Sequence, residues 1–282
     1  MMVIDAVPFF NENPIWQLRF ETLADVVDEF VVVEARHTHS GKRKDLVFKH
    51  LHTRTGSLME ALPYNVNYHV VDLPEPALEE TTIPATRRRE MFQRNAIATA
   101  IMEHVPNVQD DDIILLSDCD EIPNPEVIKA IKENGIPDGS VVIFRQRLCY
   151  YDLNTTGGYV WQGTRAVTWR DMRALSPHIV RYGIGQPDQH YPHYMIAYPG
   201  GWHLSYFGGP DAVRTKLKSF LHQELVNPEV IANAEAQMAA GHDVYGRENM
   251  KLTRERTTDV PPPVLKNPER WRWMYHEDYR HG

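Results

Sequence analysis

The stretch ILLSDCDEIP, residues 114–123, ends an apolar run with three acidic residues, Asp118, Asp120 and Glu121. Carboxylates this close in sequence repel one another, which raises their pKa values and destabilises the chain unless a positive charge lies between them. Residues of an extended segment point alternately to its two sides, so Asp118 and Asp120 face the same point while Cys119 faces inward. The sequence therefore predicts a bound cation at the end of a buried strand.

Two carboxylates aimed at one point are typical of Mg²⁺ or Mn²⁺ sites, in which phosphate oxygens of a ligand complete the coordination shell. A solvated acidic turn has the same sequence pattern, but the apolar strand before it and the helix start IPNPE (122–126) favour a site. Two enzyme classes share this pattern. One is a phosphatase of the haloacid dehalogenase type, and the other is a nucleotide-sugar glycosyltransferase of the GT-A kind, whose DxD motif holds a metal against a diphosphate.

The composition excludes several classes of protein. The chain has 282 residues, 42% of them hydrophobic and 24% charged, which is typical of a globular protein. Its formal net charge of -8 argues against nucleic acid as a partner, because phosphate backbones bind basic surfaces. The two cysteines, Cys119 and Cys149, have no metal-binding spacing and are typical of reduced thiols. The sequence has no signal peptide and no apolar run of about 20 residues, so we expect a cytoplasmic protein without a membrane span.

Short apolar runs alternate with helical patterns through the first half, which is typical of a mainly parallel sheet flanked by helices. The second half is aromatic and β-rich before one strong amphipathic helix. We expect an α/β fold with strand segments at 2–7, 29–35, 67–73, 112–116, 140–154, 158–169 and 200–209, and helices at 14–24, 87–104, 124–135 and 210–225. The expected single domain, 1–282, has a nucleotide-sugar-binding half (1–139), an acceptor-side half (140–260) and a C-terminal tail (261–282).

Five motifs occur in a set order: DAVPFFNE, VVDEFVVVEARHTHSGKRK, QRNAI, LLSDCDEIPNPE and GWHLSYFGGPDAVRTKLKSFLHQE. Over roughly residues 2–225 this set resembles glycosyltransferase family 17, whose animal members are β-1,4-mannosyl-glycoprotein N-acetylglucosaminyltransferases. The resemblance implies a GT-A-like fold and a metal-dependent, inverting transfer of a sugar from UDP-GlcNAc, or a related donor, to a glycan hydroxyl. The membrane anchor and stem of the animal enzymes are missing from the sequence, so we expect a bacterial or viral relative.

The resemblance also places donor-binding residues around the predicted nucleotide site. The candidate donor ligands are Phe9, Asn11, Glu12, Glu34, Arg36, Arg94 and Asn95. Phe9 or Phe10 would stack on the uracil ring, although core packing explains two phenylalanines equally well. Asn11 or Glu12 would bond the base or the ribose. An asparagine such as Asn95 is mildly unfavourable inside a helix, which indicates either a donor contact or a surface position.

Most of the remaining candidates lie in the motif GWHLSYFGGPDAVRTKLKSFLHQE. The resemblance implies that His203 completes the metal site of Asp118 and Asp120. Asp211 is the candidate general base, because inverting transfer needs a carboxylate that accepts the proton of the acceptor hydroxyl. An acid that complements the helix dipole is the alternative. Three further acids are rivals for the role of base: Glu121, Asp152 and Glu224.

Three side chains of the same helix are candidates for stabilising the leaving UDP: Lys216, Lys218 and His222. Four residues mark an aromatic acceptor region: Tyr150, Tyr151, Trp161 and Arg165. The expected function is thus a metal-dependent glycosyltransferase. A metal-dependent phosphatase or nucleotide-sugar hydrolase, and a non-catalytic carbohydrate-binding relative, are the alternatives.

Overall fold

The computed structural model describes residues 1–48, 65–73, 83–183, 193–219 and 226–279. The strands within these residues are β1 (Val3–Phe9), β2 (Glu29–Ala35), β3 (Asn65–Val71), β4 (Ile113–Leu116), β5 (Glu121–Pro123), β6 (Ser140–Tyr150), β7 (Thr155–Thr168), β8 (His193–Ala197), β9 (Gly201–Ser205) and β10 (Thr253–Arg254). The helices are α1 (Asn13–Leu23), α2 (Ala85–His104), α3 (Pro125–Asn134), α4 (Trp169–Leu175), α5 (Pro177–Tyr182), α6 (Gly209–Ser219), α7 (Pro228–Ala240) and α8 (Pro262–Lys266).

The strands of the described residues join in one sheet with the order β3-β2-β1-β4-β7-β6-β9-β5, with β10 beside β7 and β8 beside β6. The four strands from β3 to β4 are parallel, as the sequence predicts for the first half. The expectation of a mainly parallel sheet is not confirmed for the rest. β7 runs antiparallel to both β4 and β6, and β5 runs antiparallel to β9. The short connection between β6 and β7 explains the antiparallel pairing of these two strands, because parallel neighbours need a long crossover.

Helices pack on both faces of the parallel strands. On one face, Val3 and Val7 of β1 pack with Leu18 and Phe20 of α1. On the other face, Ile4 and Ala6 share a core with Val33, Ile97 and Ile101, the last two from α2. Burial on both faces explains why β1, β2 and β4 are mainly apolar in the sequence. A third core, around Tyr150, Val213 and Leu217, joins the acceptor-side strands to α6 and α7.

β1 continues past the point where the sequence predicts its end. It passes through Pro8 to Phe9, pairing with β2 throughout. Its other neighbour, β4, pairs with it only as far as Ala6. Pro8 therefore has a strand on one side alone and removes no ladder hydrogen bond on the other, which is the position that proline tolerates in a sheet.

The C-terminal tail packs against the outside of the sheet and contributes to the main core. Val264, Trp271 and Met274 are buried in the core that also holds α1. Arg270 pairs with Glu21 of α1 at 2.6 Å, which ties the tail to the same helix. No helix among the described residues has both the length and the apolar character that crossing a bilayer requires.

Candidate active site

The carboxyl ends of β1, β2 and β4 open into a cavity of about 660 Å³, which residues of β6, β7, β9, α2 and α6 close from the other sides. Ligands of parallel α/β sheets bind at this edge. The cavity lining combines acids, cations and aromatic side chains, chief among them Glu12, His39, Glu90, Arg94, Asp118, Asp120, Tyr150, Trp161, Arg181, His203, Tyr206 and Lys216. Both halves of the chain therefore contribute to one site.

The acidic loop between β4 and β5 is held from below by a buried arginine. Arg19 of α1 forms a fully buried ion pair with Asp5 of β1, with Nη2 2.5 Å from Oδ1. Its Nη1 donates to the carbonyl oxygen of Glu121 at 2.7 Å and to that of Asp118 at 3.3 Å. Arg19 also donates to the hydroxyl of Ser117 at 3.1 Å. The loop is thus anchored through its backbone, which leaves the aspartate side chains to face the cavity.

Asp118 faces two guanidinium groups. Arg94 of α2 donates to its Oδ1 at 2.9 Å, and Nη2 of Arg181 of α5 lies 3.8 Å from its Oδ2. Burial alone would raise the pKa of Asp118, but Arg94 and Arg181 outweigh it and hold that pKa well below its usual range. Asp118 is therefore a permanent anion at neutral pH.

Asp120 faces a lysine and a histidine. Lys216 Nζ lies 2.7 Å from its Oδ2, and His203 Nε2 lies 3.6 Å from its Oδ1. Burial lowers the pKa of His203, which favours the neutral imidazole that a metal requires. The ring packs against Trp161 with centroids 4.7 Å apart, and its buried Nδ1 has no hydrogen-bond partner among the described residues.

Glu121 lies behind the loop and outside the cavity lining. It is fully buried, and its Oε1 accepts from Trp161 Nε1 at 2.6 Å and Arg181 Nη2 at 2.5 Å. Its Oε2 accepts from the backbone N–H of Asp118 at 3.0 Å. With both oxygens engaged, Glu121 positions Asp118, Trp161 and Arg181 and is poorly placed to act as a base.

The loop after β1 presents Phe10 and Glu12 to the cavity. Oε2 of Glu12 accepts from the backbone N–H groups of Phe10 at 2.9 Å and Asn11 at 3.0 Å. Burial raises the pKa of Glu12, and nearby Lys216 opposes this effect. Phe9 reaches the lining too, but it is buried and packs edge-on against Phe48 at 5.2 Å. Asn11 is exposed and lies outside the lining.

Two candidate donor ligands of β2 and its loop do not line the cavity. Glu34 is fully buried and accepts from Lys44 Nζ, from Tyr68 Oη at 2.7 Å and from the backbone N–H of Val47 at 2.9 Å. It therefore holds the loop after β2, which brings Lys44, rather than Glu34, to the cavity. Arg36 pairs on the surface with Asp72 at 3.5 Å.

Helix α2 presents Glu90, Gln93 and Arg94 to the cavity, but not Asn95. Oδ1 of Asn95 accepts the backbone N–H of His178 at 2.9 Å and so anchors the start of α5. This contact explains an asparagine inside a helix, and its effect on the site runs through α5, which carries Arg181.

Three other candidates on the acceptor side, Asp211, Asp152 and Lys218, lie outside the cavity lining. Asp211 is 99% exposed and pairs with Arg214 of its own helix at 3.0 Å. Asp152 accepts the backbone N–H groups of Asn154 and Thr155 and so closes the turn between β6 and β7. Lys218 is exposed on α6. His222 and Glu224 lie outside the described residues.

Of the predicted acceptor region, three residues line the cavity and Tyr151 does not: the three are Tyr150, Trp161 and Arg165. Tyr159, Tyr206 and Tyr245, absent from the sequence prediction, line it too. Tyr206 and Tyr245 hydrogen-bond through their hydroxyls at 2.9 Å. The sequence prediction also does not include Arg19, Asp5 and Arg181. A signal existed for Asp5, which interrupts an apolar run, and for Arg19, which lies between Leu18 and Phe20, but no local pattern marks Arg181.

The donor set partly fits a divalent cation. Carboxylate oxygens with a neutral imidazole suit Mn²⁺, and Asp120 and His203 already lie within the span of one coordination shell. Within the described residues, however, ligand atoms of Asp118, Asp120 and His203 do not all come within 4.8 Å of one another. Lys216 and Arg94 occupy the carboxylates instead, so holding a metal would require Lys216 to move.

Carboxylates and cations gathered at the strand ends of an α/β sheet have the layout of an enzyme active site. The chain belongs to glycosyltransferase family 17, whose sequence profile matches residues 1–248. It is also 28% identical over 131 residues to the rat (Rattus norvegicus) and human (Homo sapiens) proteins named beta-1,4-mannosyl-glycoprotein 4-beta-N-acetylglucosaminyltransferase. These matches cover 46% of this chain and 23% of each relative. The relatives are animal proteins, so the expectation of a bacterial or viral relative is unsupported.

Proposed function

We propose that this protein is a metal-dependent, inverting glycosyltransferase that moves N-acetylglucosamine from UDP-GlcNAc to a hydroxyl group of a glycan. The observation that carries the proposal is the cavity in which Asp118 and Asp120 meet Arg94, Arg181 and Lys216. The three cations can each form an ion pair with a carboxylate or, when a donor is bound, with a phosphate oxygen. Membership of glycosyltransferase family 17 and the names of the two relatives support the transfer of N-acetylglucosamine.

Asp120 and His203, together with Asp118, would hold Mn²⁺ or Mg²⁺. When bound, the cation neutralises charge on the diphosphate and so improves UDP as a leaving group. Lys216 and Arg94 then have phosphate oxygens as alternative partners, because both are charged and face the same cavity. Cations that are already in place and shielded from water stabilise developing negative charge strongly.

The uridine would bind at the carboxyl ends of β1 and β2. Phe10 offers a ring, and Lys44 Nζ lies 5.5 Å from its centroid. The acceptor would lie against Trp161, Tyr159, Tyr206 and Tyr245. Aromatic faces with hydroxyl or indole edges combine an apolar surface with hydrogen-bonding groups, as a sugar requires. These rings favour a glycan acceptor over hydrolysis by water.

Inversion requires a base that accepts the proton of the acceptor hydroxyl while its oxygen attacks the anomeric carbon. Of the acids that line the cavity, Glu12 has a pKa that burial raises, whereas Arg94 and Arg181 hold that of Asp118 low. A pKa closer to neutrality favours proton transfer. We assign the role of base to Glu12 in place of the exposed Asp211, because Glu12 lines the cavity and lies near Asp120 and Lys216, where the donor diphosphate would bind.

The test is a panel of UDP-sugars with MnCl2, scored for UDP release with and without glycan acceptors. We expect release with UDP-GlcNAc, and faster release when an acceptor is present. NMR of the product should show a β linkage from the α-linked donor. Release at the same rate without any acceptor would indicate a nucleotide-sugar hydrolase, and a product that keeps the α configuration would exclude inversion.

A further inference from the structure

We propose that His69, Glu103 and His104 form a second metal site, selective for zinc and similar transition metals. None of the three lines the cavity at the strand ends. His69 belongs to β3, and the other two form the last turn of α2. The site would therefore join β3, the last strand in the sheet order of the described residues, to the helix that packs on it.

The three ligand atoms already have the spacing of a coordination shell. His69 Nδ1 lies 3.2 Å from His104 Nε2 and 3.4 Å from Glu103 Oε2. His104 Nε2 lies 3.8 Å from the same Glu103 oxygen. Two ligands bound to one tetrahedral zinc are about 3.3 Å apart, given bond lengths of about 2.0–2.1 Å. A small movement of Glu103 would complete three corners of such a tetrahedron.

The strand and the helix that carry these side chains pack together in a buried core. His69 shares a face of β3 with Val71, which packs with Ile97 and Ile101 of α2 in a buried core. The same helix carries His104 at its end, so the core fixes the separation of strand and helix. His69 is 16% exposed, whereas Glu103 and His104 are 54% and 37% exposed. An ion from solvent can therefore reach the group without any opening of the fold.

The chemistry of the group differs from that of the acidic loop. Two imidazoles and one carboxylate suit Zn²⁺, with water in the fourth position, whereas Mg²⁺ prefers oxygen ligands alone. The group also lies at the carboxyl end of a 20-residue helix, where the helix dipole favours positive charge. Both features favour a bound transition-metal cation over a group of side chains that contact only one another.

The metal would act as a clamp. Among the residues that the structure describes, β3 pairs with β2 on one side only, so a link to α2 would stabilise this strand. The same helix carries Glu90, Gln93 and Arg94 to the cavity in its first half. The clamp therefore contributes stability rather than catalysis, and its loss should leave sugar transfer largely intact.

The experiment measures zinc binding to the full chain without a histidine tag, after removal of metals with a chelator. Equilibrium dialysis against ZnCl2 gives stoichiometry and affinity, and thermal unfolding gives the change in Tm. The variants are His104→Ala and Glu103→Ala at the proposed site. His242→Ala, an exposed histidine elsewhere, is the matched control. Asp120→Asn shows whether zinc binds at the acidic loop instead of at the proposed site.

We expect saturating zinc to raise the Tm of the wild type, Asp120→Asn and His242→Ala by about 5 °C. His104→Ala and Glu103→Ala should lose that rise and weaken zinc binding at least about tenfold. Equal zinc binding in wild type and His104→Ala would overturn the proposal. So would a zinc effect that disappears only in Asp120→Asn, since the ion would then bind at the acidic loop. Zinc binding needs no donor sugar, so its failure leaves the proposed function untouched.

Discussion

Lys216 Nζ lies 2.7 Å from Asp120 Oδ2, an ion pair that joins helix α6 to the acidic loop after β4 across 96 residues of sequence. Burial would lower the pKa of Lys216, but Asp120 and Glu12 outweigh it and raise that pKa to about 12. The ammonium group therefore stays charged inside the cavity. Lys216 therefore supplies part of the positive charge that the clustered acids require. It lies beside the position that we propose for a metal.

Replacing this lysine tests its role toward the diphosphate. Lys216→Met should lower kcat/KM for UDP-GlcNAc by about 100-fold, because a fixed cation at the leaving group is lost. Lys218→Met is the matched control, since Lys218 lies two residues further along α6 and is exposed. Steady-state UDP release measures both. Equal activity in Lys216→Met and Lys218→Met would remove Lys216 from the reaction.

The two candidate bases can be separated by isosteric substitution. Glu12→Gln keeps a side-chain oxygen for the backbone N–H groups of Phe10 and Asn11 but cannot accept a proton. We expect kcat to fall by about 100-fold or more, with KM for the donor little changed. Asp211→Asn should retain wild-type activity, because Asp211 lies outside the cavity. The opposite pattern would return the role of base to Asp211.

Glu121 should matter for stability as well as for activity. Glu121→Gln removes the negative partner of Arg181, both of which are buried. Breaking a buried ion pair on one side costs about 3–5 kcal/mol, which urea unfolding would measure as a lower midpoint. Glu126→Gln is the control, since Glu126 is 74% exposed and its pairing with Lys129 lies on the surface. A Glu121→Gln midpoint equal to that of the control would contradict the positioning role.

Asp243 provides a prediction about pH. It accepts from Tyr150 Oη at 2.9 Å and from Arg247 Nη2 at 2.7 Å. Burial would raise the pKa of Asp243, but these hydrogen bonds, led by those of Arg247, hold it below its usual value. Since the unfolded carboxyl binds its proton more readily, the stabilisation is complete at neutral pH and decreases as the pH falls below about 4.

The corresponding measurement compares wild type and Asp243→Asn by urea unfolding at several pH values. The difference in unfolding free energy should be largest at pH 7. It should shrink as the pH falls from about 4 towards the lowered pKa of folded Asp243, below which the wild-type side chain is neutral too. A difference that grows on acidification would contradict the depressed pKa.

The sequence predicts much of the parallel half of the fold because most of its strands are buried on both faces and therefore appear as largely apolar runs. β2 and β4 show this directly. The helical patterns in the sequence likewise predict α1 and α2 close to their observed bounds. The antiparallel half is less predictable. The pairing of β7 with β4 depends on contacts between residues such as Leu116 and Arg165, which are remote in sequence.

The residues of the candidate site are also only partly predictable from the sequence. Asp118 and Asp120 could be placed at a strand end from local pattern alone, and both line the cavity. Glu121 and Glu34 could not be separated from cavity-facing acids, because adjacent acids in a sequence do not reveal which carboxylate is enclosed by Trp161, Arg181 or Tyr68. Arg181 reaches Asp118 only through the packing of α5 on α2, which involves Asn95.

The most direct test of the central claim is calorimetric titration of UDP into the wild type and Asp120→Asn, each with and without MnCl2. For the wild type, we predict that Mn²⁺ tightens UDP binding by at least about tenfold, or 1.4 kcal/mol. For Asp120→Asn, the affinity should be the same in the presence and absence of the metal. Wild-type binding that ignores Mn²⁺, or a variant that responds to Mn²⁺ as fully as the wild type, would contradict a metal-assisted diphosphate site at Asp120.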